Sequence, residues 1–532
     1  MRILFSVRKP SNVRHYDSVL RMLAARGHEI ELVKEPVVKT WPPFVLALPA
    51  AHPNVRLSST PSVAKNPWWE LSARLRRGRF YLRFLEPRYR DAPALLERAR
   101  KRAPRSVVRL ASWIGDATSR RLLARVVGLL ERSTHSARLF HDYLLQQRPD
   151  LVILTPLVVL ETTQLDLAQA AADLGIRNVF GVASWDHLSS KGQLSVAPQQ
   201  IILWNDVQKR EAVELHGVDP DRVVITGAQV FDDWFEQRPS TTREAFCARV
   251  GLRPDRPIVL YVCSSLLEGS PPERSFVLRW LRHLRSSGHP VLEECGVLVR
   301  PHYQVREIWN GAEIAGFDNV ACWPPLGDAP VDSRSKTDYF DSMYHAAAVV
   351  GLNTSAMIEA AIVGRPVHAV LLPEFRDNQE GTLHFHYLLD PAAPLLRTTR
   401  SLDDHARQLA ETVGGRDPDP DRSERFVRTF VRPGPSDTPA TIRFVEAVEA
   451  LGARPALPPA PAGVWTYVIR PILWPFAKAA ERRALRIEGE LRRLKEQRRR
   501  EHREKKQVRM DARRRQRLAA RALTRAGQRE RR

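Results

Sequence analysis

Short apolar segments alternate with helical patterns in two separate series along this chain of 532 residues, and this repetition determines the class of fold. The first series opens with residues 2–7, a helical pattern that stops at Gly27, and a second apolar segment at 29–33. Segments that are apolar at nearly every position are typical of parallel strands covered by helices on both faces. The sequence therefore predicts an α/β fold built on parallel sheets.

Each series predicts one doubly wound domain. In the first, apolar segments recur at 150–154, 178–182, 200–204 and 223–225. In the second they recur at 257–262, 297–300, 346–352 and 367–372. We expect two Rossmann-like domains, an N-terminal one at residues 1–238 and a C-terminal one at residues 239–452. Ligands of such domains bind beyond the carboxyl ends of the strands.

Two regions depart from this alternation. Residues 61–136 combine Trp, Tyr and Phe with helical repeats rich in Arg and Leu, which predicts a helical insertion in the N-terminal domain. Residues 453–532 form a C-terminal extension that starts with a Pro- and Ala-rich linker at 453–462. An aromatic segment at 464–476 follows, and then a basic tail that is predicted to be a charged, solvated helix or disordered.

The net charge of +23 is concentrated in this tail. Residues 478–532 contain 23 Lys and Arg against 8 Asp and Glu, so the two domains themselves are only weakly basic. The aromatic segment and the tail fit an anionic membrane surface. Sequence-specific binding of nucleic acid is not expected, because no aromatic residue that could stack on bases follows Phe476.

The cysteines and the N-terminus indicate the cytoplasm. Cys247, Cys263, Cys295 and Cys322 form no CxxC pair and have no zinc-ligand spacing around them, so reduced thiols are expected. The first residues lack the long apolar run of a signal peptide, and no segment of about 20 apolar residues occurs. We expect a cytoplasmic protein that associates peripherally with the inner face of the membrane.

The most informative motif follows the strand predicted at 346–352. Asn353, Thr354 and Ser355 separate that strand from a predicted helix at 356–363. Backbone N–H groups at such a position bind phosphate, and Thr354 or Ser355 is expected to cap the helix. Glu359 lies one turn further on the same face, where its carboxylate suits a ribose or sugar hydroxyl. The alternative is an ordinary capped helix with Glu359 as a surface charge.

Three more predicted strand ends carry polar side chains that suit an anionic donor. A cationic arginine and a histidine donor suit a diphosphate, and the paired serines suit a second phosphate-facing loop. Residues 378–387 predict either a loop that closes over the donor or a short strand at 384–386. A metal site at the two histidines of this segment would need a carboxylate as its third ligand, and none is evident, so no metal is expected. The residues expected to bind such a ligand at these strand ends are Arg300, His302, Ser264, Ser265, Gln379 and Thr382.

Two histidines compete for the role of general base. The loop at 184–192 contains Asp186 next to His187, and a carboxylate beside an imidazole can orient it to deprotonate an acceptor hydroxyl. The alternative for that loop is a polar turn anchored by Trp185. His15, in the loop after the first strand, is the rival base. The sequence leaves the choice between His187 and His15 open.

In their order along the chain, these motifs resemble the GT-B glycosyltransferases, the CDP-glycerol glycerophosphotransferases and the non-hydrolysing UDP-N-acetylglucosamine 2-epimerases. The resemblance covers about residues 150–390. It rests on the turn at 353–355 with Glu359, on Arg300 and His302, and on residues 224–232. The last segment is similar to the V-x-G-N/S-x-x-x-D step before the interdomain hinge of these families. The paired-glutamate and terminal-arginine pattern of the epimerases is incomplete in this chain.

The resemblance implies a metal-independent GT-B transferase of surface-polysaccharide or glycolipid synthesis. Such an enzyme moves a sugar or a polyol phosphate from a nucleotide-activated donor to a hydroxyl acceptor, which can be lipid-linked. The nucleotide sugar is a co-substrate and no cofactor is expected. Inverting GT-B enzymes place a base in the loop that holds His15. The alternatives are a nucleotide-sugar epimerase and a non-catalytic scaffold or nucleic-acid binder that uses the basic tail.

Overall fold

Two separate parallel sheets form the framework of the molecule. The predicted tail beyond residue 500 and part of the predicted linker lie outside the described residues. The computed structural model describes residues 1–500 except for 37–39, 65, 135–136, 304–313, 326, 328–329, 331, 436–437, 456–457, 460–462, 464, 467, 491–492, 495 and 498–499.

The N-terminal sheet has seven parallel strands in the order β3-β2-β1-β4-β5-β6-β7. Its chain first moves outward from the central strand on one side and then returns to build the other side. This reversal beside the first strand is the mark of the Rossmann fold. The strands are β1 (Arg2–Val7), β2 (Glu29–Lys34), β3 (Val55–Ser59), β4 (Leu151–Thr155), β5 (Arg177–Gly181), β6 (Gln200–Leu203) and β7 (Val223–Ile225).

The C-terminal sheet repeats this arrangement with six parallel strands in the order β10-β9-β8-β11-β12-β13. The strand order again reverses beside the first strand of the sheet. The prediction of two Rossmann-like domains in an α/β chain is therefore confirmed. The strands are β8 (Ile258–Val262), β9 (Gly296–Arg300), β10 (Val320–Cys322), β11 (Ala348–Gly351), β12 (Val367–Val370) and β13 (Leu396–Thr399).

Helices cover both faces of each sheet, and four of them form the predicted insertion, which the structure confirms as helical. Those of the N-terminal half are α1 (Asp17–Ala25), α2 (Pro43–Leu46), α3 (Leu48–Ala51), α4 (Pro67–Phe84), α5 (Pro93–Arg102), α6 (Arg105–Trp113), α7 (Ala117–Arg132), α8 (Ala137–Gln147), α9 (Gln164–Asp173), α10 (His187–Ser190), α11 (Asp206–His216) and α12 (Asp232–Glu236). The helices that follow, up to residue 453, are α13 (Arg243–Val250), α14 (Glu273–Arg285), α15 (Pro290–Glu294), α16 (Ser333–Tyr344), α17 (Ala356–Ile362), α18 (Leu383–Tyr387), α19 (Leu402–Val413), α20 (Arg422–Phe426) and α21 (Ala440–Ala453).

The insertion, α4 to α7, is fixed to the N-terminal domain by a buried charge network. Helix α4 starts at Asn66, whose side-chain oxygen accepts the first free backbone N–H groups of the helix. From the middle of α4, Arg76 pairs with Glu131 of α7 and Asp166 of α9, each at 3.0 Å. All three side chains are almost fully buried, so removal of one would leave an uncompensated charge.

Helix α21 follows the C-terminal sheet in sequence but packs on the N-terminal one. Its Phe444 and Val445 are fully buried against Phe5 and Tyr16. Gly181, at the end of β5, leaves room for this helix, because a Cβ there would lie 3.0 Å from both the Phe444 ring and the Tyr16 hydroxyl. By its packing, α21 belongs to the N-terminal half, although the predicted domain at 239–452 includes nearly all of it.

The predicted aromatic segment leads into a helix at residues 468–490 that packs on the insertion. Trp474 lies against Trp68 of α4, with ring centroids 5.5 Å apart, and Leu473 is buried together with Leu71. This contact ties the C-terminal extension to the N-terminal half. In the described part of the chain, no helix is both long and apolar enough to cross a membrane.

The two halves also share an apolar core. Trp204 and Phe231 of the N-terminal half are buried with Val262 and Met357 of the C-terminal half. Trp185, which follows β5, belongs to the same cluster. Because these residues follow or end strands, their packing brings the carboxyl ends of the two sheets towards each other.

Candidate functional site

A cleft of about 480 Å³ opens between the two halves. Its walls are the loops that follow β1 and β5 of the N-terminal sheet and β8, β9 and β11 of the C-terminal sheet. In both sheets, these loops lie next to the point where the strand order reverses. Doubly wound folds bind their ligands at that position, so the cleft is the candidate site.

Ten of the thirteen predicted site residues line this cleft. Arg300, Ser355 and Glu359 meet in one crevice with Asp186, although Asp186 lies far from them in sequence. The chain order of the motifs was therefore sufficient to place most of the predicted residues in the cleft. The ten residues are His15, Asp186, Ser265, Arg300, His302, Asn353, Thr354, Ser355, Glu359 and Thr382.

Ser264, Gln379 and His187 are not part of the lining. The Ser264 hydroxyl accepts the backbone N–H of Asn353 at 3.2 Å. The Gln379 side chain donates to the carbonyls of residues 352 and 370. Both residues therefore support the loops behind the cleft. His187 begins α10, and its charged form would lower the pKa of His15, so the two rings are neighbours although only His15 faces the cleft.

Asp186 is held as an anion. Its carboxylate accepts hydrogen bonds from Ser184 at 2.6 Å and Ser190 at 3.0 Å, and pairs with Lys191 at 2.9 Å. Burial works to raise the pKa of Asp186, but Lys191 and the neighbouring histidines hold it well below its usual value. An ionised Asp186 with these partners orients the cation of Lys191. Its hydrogen bonds go to the two serines and its ion pair to that lysine, whereas its negative charge acts on His187 by raising the pKa of that ring against the effect of burial.

His15 faces the cleft as a neutral imidazole. Burial, with added effects from the charges of Arg14 and His187, lowers the pKa of His15 to about 3. Its Nδ1 is buried without a hydrogen-bond partner among the described residues, and its Nε2 lies 3.4 Å from the donating Nε of Arg14. A neutral ring can accept a proton, which is the first requirement of a general base. An anion bound beside Arg14 would offset that charge and raise the basicity of His15.

A second histidine, His384, faces the cleft from the C-terminal half. It lies in α18, so residues 384–386 form neither the predicted loop nor the alternative strand. Its ring contacts Trp185 edge to face at 4.7 Å, and burial lowers its pKa to about 4. The indole N–H of Trp185 in turn donates to the Ser355 hydroxyl at 3.1 Å. Trp185 therefore links the two halves across the cleft.

The turn after β11 presents unused backbone donors. Ser355 occupies the position before the first residue of α17, but its side chain does not cap the helix. Thr354 comes nearer to the predicted cap, since its hydroxyl accepts the backbone N–H of Ala356 at 3.4 Å. Within the described residues, the N–H groups of Thr354 and Ser355 have no acceptor. Such unpaired donors at a ligand cleft suit the oxygens of a phosphate.

Arg300 is fixed in the wall of the cleft. Its side chain is only 5% exposed, and its guanidinium donates to Ser342 at 2.6 Å and pairs with Asp338 at 3.2 Å. It also lies over the ring of Tyr339, 4.7 Å from the centroid. The charge of Arg300 is therefore shared with a carboxylate, which reduces what it can offer to an anionic ligand.

Glu359 and Tyr339 form a half-buried pair beside Arg300. The Tyr339 hydroxyl donates to Glu359 at 2.7 Å. Burial raises the pKa of Glu359, while Tyr339 and the arginines Arg14 and Arg300 oppose that shift. Glu359 is thus not the surface charge of the alternative interpretation. It is a carboxylate placed to accept a hydroxyl hydrogen bond within the cleft.

Arg14 is the cation that sequence reasoning missed. It lines the cleft from the N-terminal half, and its charge reaches His302, Tyr339 and Glu359 of the C-terminal half. Within the part of the chain that the structure describes, Arg14 forms no ion pair. Its position next to His15 was the only signal in the sequence that could have singled it out.

The lining as a whole favours an anionic ligand. Five cationic side chains face three carboxylates, one of which, Glu359, has a raised pKa. The cations are Arg14, Arg98, Lys191, Arg300 and Lys336, and the carboxylates are Asp186, Asp233 and Glu359. Sequence reasoning also missed Arg98, Lys191 and Lys336 as lining residues. Among the described residues, no group of three or more His, Cys, Asp or Glu is arranged to hold a metal ion.

No protein-family model matches the sequence, and no curated protein matches it. Several solved structures have a similar fold. A putative UDP-N-acetylglucosamine 2-epimerase from Listeria monocytogenes is 11% identical, covers 87% of this chain and 99% of its own, and has a TM-score of 0.47. A glycosyltransferase from Rickettsia africae is 11% identical, with coverages of 86% and 99% and a TM-score of 0.47. The UDP-GlcNAc 2-epimerase from Neisseria meningitidis, bound to UDP-GlcNAc, is 10% identical, with coverages of 85% and 100% and a TM-score of 0.46.

Proposed function

We propose that this chain is a GT-B-type transferase that moves a sugar or polyol phosphate from a nucleotide-activated donor to a hydroxyl acceptor. The observation that carries the proposal is the cleft itself. It joins in one space the backbone N–H groups of Thr354 and Ser355, which have no acceptor among the described residues, the cation Arg14, which forms no ion pair among them, and the neutral base candidate His15. Groups of these three kinds are what the attack of an acceptor oxygen on a nucleotide-activated carbon or phosphorus requires.

The donor diphosphate is assigned to the C-terminal half. The N–H groups of Thr354 and Ser355 hydrogen-bond its oxygens, and Arg14 neutralises its charge from across the cleft. Arg300 and His302 complete the wall on which it rests. Glu359, held by Tyr339, accepts a hydroxyl of the ribose or of the transferred group. The nucleotide-activated donor is a co-substrate, and the proposal invokes no cofactor.

The reaction needs one proton transfer and one displacement. His15 takes the proton of the acceptor hydroxyl, and the acceptor oxygen bonds to the sugar carbon or the phosphorus of the donor. The bond to the leaving phosphate oxygen breaks, and its electron pair leaves with the nucleotide. Arg14 and the two amides stabilise the negative charge that develops there. His15 is preferred to His187 as the base, because only His15 lines the cleft.

The acceptor is assigned to the N-terminal half, beside Arg98 and Lys191. These cations suit an acceptor that carries phosphate, such as a lipid-linked intermediate of polysaccharide or glycolipid synthesis. We place the protein in the cytoplasm, peripherally on the inner face of the membrane.

One observation favours a nucleotide-sugar epimerase as the second candidate. Glu359 has a raised pKa and lies in the same cleft as His15, so the site contains two proton-handling groups, as an epimerase requires. Product analysis separates the two reactions. An epimerase changes a sugar donor without an acceptor, whereas a transferase releases nucleotide only when an acceptor hydroxyl is present.

Thermal unfolding in the presence of UDP, GDP, CDP and ADP tests the donor site. At least one of these nucleotides should raise the midpoint of thermal unfolding of the wild-type protein, since a ligand that binds only the folded state stabilises that state. Arg14→Ala should abolish that shift. The matched control is Arg21→Ala, which removes an arginine of α1 that pairs with Asp17 outside the cleft. Absence of a shift with all four nucleotides would refute the proposal.

A further inference from the structure

Exposed apolar side chains are concentrated on one part of the surface. In the described part of the chain, sixteen large apolar residues are exposed, and thirteen of them lie in residues 110–129 or 465–494. The other three, Leu46, Leu145 and Tyr344, lie apart on separate helices. Single exposed apolar residues are normal, whereas a concentration of this kind marks an interaction surface.

In the insertion, these residues have helical spacing. Leu110 and Trp113 lie one turn apart on α6, and Trp113 is 88% exposed. On α7, Leu122, Val126 and Leu129 are separated by four and three residues, which places them on one face. The opposite sides of these helices are already used, because both pack on α4.

The helix at 468–490 continues the surface. Val468, Ile472 and Phe476 are separated by four residues each and are more than 60% exposed. The other side of this helix packs on α4, and its Ile469 contacts the same cluster as Leu130 of α7. We define the outer face as the exposed apolar residues of these three helices: Leu110, Trp113, Leu122, Val126, Leu129, Val468, Ile472 and Phe476.

On the insertion side of the outer face, the charge is almost entirely positive. Residues 101–130 contain seven Lys and Arg against one acidic residue, Asp116. Arg105, Arg109, Arg121 and Arg125 are exposed. The basic tail is not a suitable cover for this face, because residues 501–532 contain thirteen Lys and Arg against four Asp and Glu and would be repelled. Aliphatic stripes between arginines match the interface of an anionic bilayer.

The outer face is also linked to the cleft. Helix α4, which supports α6, α7 and the helix at 468–490, also supports α5. From α5, Leu95 and Arg98 line the cleft, and the Arg98 guanidinium donates to the Ser190 carbonyl at 2.9 Å. A partner that binds the outer face therefore contacts the same layer of helices that contributes Leu95 and Arg98 to the wall of the cleft.

We propose that the outer face docks on an anionic lipid bilayer. The apolar side chains enter the boundary between head groups and acyl chains, and the surrounding arginines lie at the lipid phosphates. Docking in this way brings a lipid-linked acceptor to the wall at Leu95 and Arg98. Only this last step rests on the proposed transferase function; the lipid contact itself does not.

Co-sedimentation of the full chain with vesicles tests the docking surface. Vesicles of phosphatidylcholine with phosphatidylglycerol are compared with pure phosphatidylcholine at physiological ionic strength. We expect binding to the anionic vesicles, and a variant with Trp113→Ser, Leu122→Ser and Val126→Ser should bind them at least about tenfold more weakly. The matched control is Leu46→Ser, an equally exposed leucine outside the face, which should bind as wild type.

A second variant, Arg109→Gln with Arg125→Gln, keeps the apolar stripes and should lose binding to the anionic vesicles. Wild-type binding by both variants would overturn the proposal, as it would show that the tail alone attaches the protein. If the variants bind a poly-uridine RNA more weakly than the wild type but bind vesicles equally well, the proposal is overturned and the outer face is a nucleic-acid-binding surface. Nucleotide-induced thermal shifts are measured on the same variants and should stay at the wild-type value. If vesicle binding depends on the outer face but no nucleotide shifts the thermal midpoint of the wild type or of any variant, the proposed transferase function is refuted and the docking surface still stands.

Discussion

Arg14 and Arg300 face the same cleft, yet their replacement by alanine should have opposite consequences. Arg14 forms no ion pair among the described residues, so its loss removes a charge and breaks no internal contact stronger than the 3.4 Å hydrogen bond to His15. A hydrogen bond to a charged group contributes about 1.5–3 kcal/mol. At about 1.4 kcal/mol for each factor of ten, Arg14→Ala should weaken binding of a nucleoside diphosphate roughly 10- to 150-fold. The midpoint of thermal unfolding without ligand should stay unchanged.

Arg300→Ala should instead destabilise the protein. It leaves Asp338 without its buried partner and Ser342 without its donor. Breaking a buried ion pair by removing one member costs about 3–5 kcal/mol. For a domain of this size, about 1 kcal/mol corresponds to roughly 2–4 °C, so the unfolding midpoint should fall by about 6 °C or more.

Isothermal titration calorimetry with the nucleotide that gives the largest thermal shift measures the first effect, and calorimetric unfolding measures the second. Arg21→Ala serves as the control in both. The reasoning is refuted if Arg14→Ala binds within about twofold of wild type. It is also refuted if Arg300→Ala weakens binding strongly while its unfolding midpoint is unchanged, because Arg300 would then be the diphosphate ligand.

Three further predictions concern stability. Trp185→Phe keeps the ring but removes the N–H that is donated to Ser355, so it should cost about 1 kcal/mol of unfolding free energy in urea; an unchanged urea midpoint would show that this bond contributes nothing. Burial lowers the pKa of His405 to about 3, so below about pH 6.5 the unfolded chain binds a proton that the folded protein does not bind. The free energy of unfolding should therefore decline as the pH falls. In His405→Leu this decline should be shallower by up to about 1.4 kcal/mol per pH unit, measured by urea unfolding at pH 7 and pH 5. Burial raises the pKa of Glu211 to about 7, so the folded state retains a proton that the unfolded chain releases above about pH 4.5, and wild-type stability should decline as the pH rises towards 7. Glu211→Gln keeps an acceptor for the Tyr387 hydroxyl and should remove this second decline, and equal pH profiles for variant and wild type would contradict the assignment.

The central strands were predictable because a strand that is buried on both faces consists almost entirely of apolar residues. All five residues of β4, β8 and β9 are buried, and each segment is almost purely apolar. The edge strands β3, β10 and β13 were not predicted. All three are short and partly exposed, and β3 and β13 contain polar residues, such as the Arg and Thr residues of β13. An edge strand is defined by the neighbour that it pairs with, and this neighbour is not visible in its own sequence.

The candidate site was predictable to a similar extent and for a related reason. Polar residues directly after central strands must meet at one edge of a sheet, which placed Arg300 and Ser355 in the cleft. The sequence did not show which arginine would have its charge matched by a carboxylate. Asp338, the partner of Arg300, lies 38 residues away on α16, and this contact exists only in the folded chain. Arg14 was missed for the same reason.

The return of α21 to the N-terminal sheet makes the chain cross between the halves twice instead of once. Both crossings meet at Asp232, whose carboxylate accepts the backbone N–H groups of Ala440 and Thr441 and pairs with Arg432. An N-terminal fragment that stops after residue 238 would expose the aromatic side chains that Phe444 covers and should aggregate. Asp232 therefore joins the two crossings at one place, in addition to the apolar core that the halves share.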